Sequence, residues 1–413
     1  MPPLLALALL ASAALLATRL PRPATARSAT VDLLLAGGTP LILLGIVLGP
    51  GIGALDQPTL AGLAPVTALA IGWVGARLGA RCEWRLLRRV PKETWGVVAA
   101  QAVAGMGAGF VAAWLGAKLV PALAAAWTPR LAAALTLGAV AIIPGARPME
   151  RAARAGGMPA RLARRLRRVA LLDAACGTLV FAIGVGLGHA RVAGVLPGWL
   201  VWLAAALGAG VLISGLFLVI TRLAPECPEL GFALFAVLVL GAALGYAADL
   251  SPFVVCAIAA ALLVNVSASR RRVRALLASW EGPTYPILLI LAGAGFVLPT
   301  LWILAAAPVL GVLRLVAQWS TVRSGLAYLP QAALPPNSGL ASLAQGGAAI
   351  ALGLSFALAH GTGALGGGAV LTTILLGVLL THAAAPAVMR LALATSAGAA
   401  TLAQPSAGAP VEG

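Results

Sequence analysis

Long apolar runs follow one another along the chain, separated by short segments rich in glycine, proline and arginine. Read against those breakers, the runs predict helices near 3–19, 32–49, 59–79, 94–117, 130–146, 168–188, 197–221, 229–248, 252–268, 283–299, 301–321, 338–359 and 367–389. Each is close to the ~20 residues that cross a hydrocarbon layer. Two runs contain breakers inside them. The fifth ends in Ile142-Ile143-Pro144-Gly145-Ala146-Arg147-Pro148, and the twelfth carries Gln345-Gly346-Gly347 near its middle. Backbone groups freed at membrane depth must be buried in protein or line a cavity. Interrupted helices in corresponding places of two halves point to a binding site. Spans one to six and eight to thirteen make such halves, with span seven between them, and each break falls in the fifth helix of its half. This is the pattern of inverted repeats.

Composition narrows the class. The 413 residues are 61% hydrophobic and 9% charged, with a mean hydropathy of +1.01. Soluble globular chains carry roughly 25% charged residues, and disordered segments are polar, so both classes are excluded. An all-α polytopic membrane protein of about 13 spans remains. Residues 1–390 form its transmembrane domain and 391–413 a short tail, expected to be disordered.

The net charge of +17 reflects topology rather than nucleic-acid binding. Basic residues cluster in alternate loops: Arg19 to Arg27, Arg81 to Lys92, Arg147 to Arg168, Arg270 to Arg274, then Arg323 and Arg390. The loops between them hold little charge. Positive loops face the cytoplasm, which places the amino terminus outside and the carboxyl terminus inside, in the plasma or inner membrane of a bacterium. The first run could also be a cleaved signal peptide, with Pro23-Ala24-Thr25-Ala26 as its cleavage region. However, Met1-Pro2-Pro3 offers no positive start, and Arg19 lies on the wrong side. Cys82, Cys176, Cys227 and Cys256 lack any metal or disulfide spacing and read as packing residues. No catalytic arrangement, metal cluster or cofactor fingerprint is present, so neither an enzyme nor a cofactor is expected.

Ionisable residues inside apolar spans cost ~2.5–3.5 kcal/mol each on insertion scales and need a reason to be there. Asp173, in Leu171-Leu172-Asp173-Ala174-Ala175, is the clearest. A carboxylate there can hold a proton or a cation in turn; the alternative is an acid paired with Arg168. Arg314, in span eleven, needs an acceptor such as freed backbone carbonyls, unless it reaches back to the cytoplasmic face. His382, in span thirteen, is a candidate proton relay, or a neutral ring bonded to a neighbouring helix.

The order of these motifs resembles the cation:proton antiporter superfamily of Kef-type and sodium/proton exchangers. Gly38-Thr39-Pro40 through Gly49-Pro50 is similar to its opening helix, and Leu137-Gly138-Ala139 to the start of its first discontinuous helix. Leu171-Leu172-Asp173 resembles its ion-site helix, and Asp249-Leu250-Ser251-Pro252 its Gly-Leu-Ser-Pro segment. Leu313-Arg314-Leu315 is similar to the helix with its buried basic residue, and Gln345-Gly346-Gly347 to its second break. The resemblance implies exchange of sodium or potassium for protons in a homodimer. Asp173 would be the ion site, Arg314 its supporting cation, and Pro144, Gly145, Gly346 and Gly347 the break positions. The chain departs from the family where Leu172 replaces a polar neighbour, Ala146-Arg147 stands at the first break and Arg168 replaces a glutamate. One remaining acid implies electroneutral exchange. Two other readings stay open: a transport-inactive scaffold or sensor, and an organic-anion carrier binding through Arg147 and Arg314.

Overall fold

The structure, a computed structural model, describes residues 2–19, 34–35, 37–119, 127–145, 149, 160–188, 197–223, 230–267, 269–298, 301–328, 338–361 and 367–402. Arg147, Cys227, the segment 23–26 and residues 403–413 lie outside these.

Helix α1 spans Pro3–Arg19 and α2 spans Thr39–Ile46, running on into a π turn at Val47–Gly51. The expected third span is two helices, α3 (Gln57–Gly62) and α4 (Ala64–Gly79), divided at Leu63. Pro65, at the second position of α4, has no amide hydrogen to continue the α3 ladder. Asp56 caps α3, accepting the Thr59 amide at 3.1 Å and the Thr59 hydroxyl. The chain continues through α5 (Trp84–Leu87), α6 (Lys92–Leu119), α7 (Trp127–Ile142), α8 (Ala160–Leu187), α9 (Gly198–Leu223) and α10 (Leu230–Ala247). Next come α11 (Pro252–Val266), α12 (Arg270–Ser279), α13 (Glu281–Ala294) and α14 (Trp302–Tyr328). A 3₁₀ turn at Ser338–Leu343 precedes α15 (Gly347–His360), and α16 covers Gly367–Leu402, running into the segment expected to be tail.

Among the described residues, six helices are long and apolar enough to cross a membrane; α12 with α13 makes a seventh if that bent pair is one span. The two meet at a 50° bend. The cause is visible in the sequence: α12 is an arginine-rich amphipathic helix that buries only Val273 and Leu277, whereas α13 is apolar. Arg270 and Arg274 both reach Glu83, near the start of α5. Large apolar side chains on α9, α10 and α14, among them Leu212, Phe232 and Val312, face outward, as they must in lipid. The chain is an integral membrane protein.

Packing depends on small residues, because lipid gives helices little hydrophobic reason to associate. Along the seam of α4 with α11, a Cβ on Gly75 would stand 2.2 Å from the Phe253 carbonyl oxygen, and one on Gly79 2.0 Å from that of Ala257. No larger residue fits. One apolar cluster joins α2, α7, α8, α11, α13, α15 and α16, and a second gathers Trp73, Phe217 and Leu263 between α4, α9 and α11. Cys82, Cys176 and Cys256 are free thiols.

Candidate functional site

Two interrupted segments cross at the centre of the first cluster. Helix α7 stops at Ile142, and Pro144, which has no N–H to donate, holds the next residues out of helical bonding. On the other strand of the crossing the chain leaves its 3₁₀ turn at Leu343 and re-enters helix at Gly347, so Ala344-Gln345-Gly346 forms the break. Gly347 belongs to α15 rather than to the interruption. The Gly145 amide donates to the Ala344 carbonyl at 2.7 Å. A Cβ on Gly145 would meet the Gln345 carbonyl carbon at 2.5 Å and the Gly346 nitrogen at 2.7 Å. Glycine is therefore the residue that lets the two backbones touch.

Helix ends at this depth leave carbonyls without donors. Arg314, on α14 and only 1% exposed, supplies them. Its Nε donates to the Ala141 oxygen at 2.8 Å, Nη1 to Leu343 at 2.8 Å, and Nη2 to Ile143 at 3.2 Å and Ser342 at 2.8 Å. The guanidinium thus joins both interrupted segments and does not turn toward a membrane face. One turn on, Gln318 donates to Ala141 at 3.1 Å and accepts the Ser342 hydroxyl. The Gln345 amide donates to Val140 at 3.0 Å.

His382, fully buried on α16, stands with Nε2 2.7 Å from the Gln345 carbonyl. A carbonyl only accepts, so Nε2 carries the proton and Nδ1 keeps a bare lone pair. Nδ1 is buried with no hydrogen-bond partner among the described residues.

Asp173 comes to this crossing from α8. The apolar stretch of α8 begins at Leu166, so the acid lies ~10 Å along it. It is 1% exposed. Arg168 is exposed, and no ion pair within 4.0 Å joins Asp173 to Arg168 or to Arg314 among the described residues. What does reach the acid is Gln101 of α6: with its amide nitrogen turned inward it donates to Oδ1 at 3.2 Å and Oδ2 at 3.3 Å. A narrow cavity with room for about a single water is lined by Gln101, Asp173, Pro144, Ser342, Leu166 and Val322. The structure so brings Asp173, Arg314, Pro144, Gly145, Gly346 and His382 into one region.

The backbone as a whole is similar to the sodium proton antiporter MjNhaP1 from Methanocaldococcus jannaschii, with a TM-score of 0.63 at 14% identity, covering 96% of this chain and 100% of that one. The chain has a sodium/proton antiporter fold. No family model and no curated protein matches it, which fits a chain that keeps the architecture while diverging in sequence.

Gln101, Gln318 and Ser342 are the site residues that sequence reasoning missed. Gln101 is the one amide within the run 94–117, and Gln318 follows Arg314 by one helical turn on the same face. Those signals were available. Nothing in the sequence places Ser342 against Gln318.

Proposed function

We propose that this protein is a secondary transporter that exchanges a monovalent cation, sodium or potassium, for protons by alternating access. The observation that carries the reading is Asp173, a buried carboxyl on a cavity beside two crossed helix breaks that Arg314 holds together. A carboxylate in that setting takes either a proton or a desolvated cation, since each neutralises it. With one acid at the site, one cation replaces one proton and the cycle is electroneutral. Thirteen spans in two inverted repeats, an external amino terminus, a cytoplasmic carboxyl terminus and a homodimer complete the proposal. MjNhaP1, described as a sodium proton antiporter, supports the same class.

The organic-anion reading is disfavoured by Arg314 itself, whose N–H groups are directed at four backbone carbonyls. The test is purified protein in lipid vesicles with an imposed pH gradient and a trapped pH-sensitive dye. Adding sodium or potassium chloride should dissipate the gradient, and Asp173→Asn should abolish the response. A response to organic anions alone would establish the carrier, and no response to any solute the scaffold.

A further inference from the structure

Leu172, immediately before Asp173, offers it no oxygen. A dehydrated alkali cation needs more than one carboxylate: hard cations take several oxygen ligands, and carbonyl oxygens replace the lost water. The second oxygen has to come from another helix. Gln101, 3% exposed on α6, is positioned to supply it.

One terminal atom of the Gln101 amide stands 3.2 Å from Oδ1 and 3.3 Å from Oδ2 of Asp173. As nitrogen it donates to an ionised carboxylate; as oxygen it would repel that carboxylate, but would accept from a carboxylic acid or bind a cation held between the two. The orientation with nitrogen toward the carboxylate satisfies both ends of the amide, as an ionised Asp173 requires. Among the described residues, the titratable and charged groups interacting with Asp173 are Arg314 from α14 and Cys176 from its own helix. Neither Arg314 nor Cys176 offers a neutral oxygen.

We propose that Gln101 is a direct ligand to the transported cation, and that its amide turns over as Asp173 exchanges cation for proton. This rests on the exchange reading above. In the empty, ionised state the amide N–H groups face the carboxylate. When a cation enters a protonated site, the acid gives its proton to water in the cavity, and the cation settles between the carboxylate and Oε1. When a proton returns, the cation leaves and Oε1 accepts the new O–H. The amide serves each state with whichever end it requires, so one neutral side chain does the work of the missing polar pair.

The experiment compares wild type, Gln101→Met and Gln101→Glu in the vesicle assay, titrating sodium and potassium chloride. Methionine keeps the length and volume but has no oxygen; glutamate restores one. Gln101→Met should raise the cation KM about tenfold or more while maximal turnover falls less than KM rises, and Gln101→Glu should return KM to within about threefold of wild type. A merely structural role would not separate these two variants. As a second readout, sodium or potassium should protect wild type and Gln101→Glu against thermal unfolding in detergent at lower concentration than Gln101→Met. Exchange by wild type with an unchanged KM in Gln101→Met, or a glutamate variant as weak as the methionine one, overturns the ligand role and leaves exchange standing. A wild type that moves no proton for either cation overturns both.

Discussion

Replacing Arg314 with methionine tests the crossing most directly. The variant keeps a long side chain but removes the donors to Ala141, Ile143, Ser342 and Leu343. Ala141 retains Gln318 as a donor. Ile143 and Leu343 lie at the ends of their helical segments, where each buried carbonyl left unmatched costs about 1–3 kcal/mol. Removing a buried cation also relieves a desolvation penalty of several kcal/mol. Against that relief, the carbonyls of Ile143, Ser342 and Leu343 all lose a buried donor, together about 3–9 kcal/mol at ~1–3 kcal/mol each. At ~2–4 °C per kcal/mol, a scale taken from soluble domains, the melting temperature should fall by at least about 6 °C. The measurement is thermal unfolding in detergent, followed by the monodisperse fraction on size exclusion. Arg314→Lys should fall between the two: its ammonium has three N–H groups and no planar fork, so it cannot satisfy four carbonyls in two segments. If Arg314→Met melts within about 2 °C of wild type, the carbonyls have found other donors and the clamp argument is wrong.

Other outcomes follow from the same geometry. Gly145→Ala introduces a methyl 2.5 Å from the Gln345 carbonyl carbon, so exchange should be lost in protein that is still helical by circular dichroism; full exchange would show that the crossing can open without harm. His382→Phe keeps the ring but leaves the Gln345 oxygen without this donor, for a loss of about 1–3 kcal/mol. Its pH profile of exchange should match wild type, whereas a displaced profile would make His382 a relay. Asp56 lies outside the spans, and its carboxyl is held below the usual range by the Thr59 hydroxyl and then the Thr59 amide. A lowered folded value means its capping contribution is present above the unfolded value near 3.8 and fades as pH falls through the folded one. Asp56→Ala should lose a little thermal stability at neutral pH and approach wild type in strong acid; a constant gap across that range would sink the assignment.

Much of the site was legible because charge is expensive in lipid. Asp173 and Arg314 stand out in an apolar sequence for that reason, and Pro144 and Gly346 mark breaks because helices cannot run through such residues unchanged. The partners were harder. An amide such as Gln101 costs far less to bury than a charge, so it leaves a weaker mark, and its contact with α8 is fixed by packing between helices rather than by spacing along one. The boundary at Leu63 was missed although Pro58 and Pro65 flank it, since the apolar run continues across the interruption. The start of α8 was missed for a related reason. The arginines before Asp173 were read as loop, yet α8 already begins at Ala160 and carries them on its first turns.

The guanidinium of Arg314 also constrains how the molecule can move. It grips the backbone of two chain segments about two hundred residues apart, beside a cavity with room for about a single water. Sliding one segment past the other would strip those contacts at once. Transit of an ion from one face to the other is far cheaper if the crossed segments travel as one rigid piece, so that neither backbone has to give up the guanidinium that joins them.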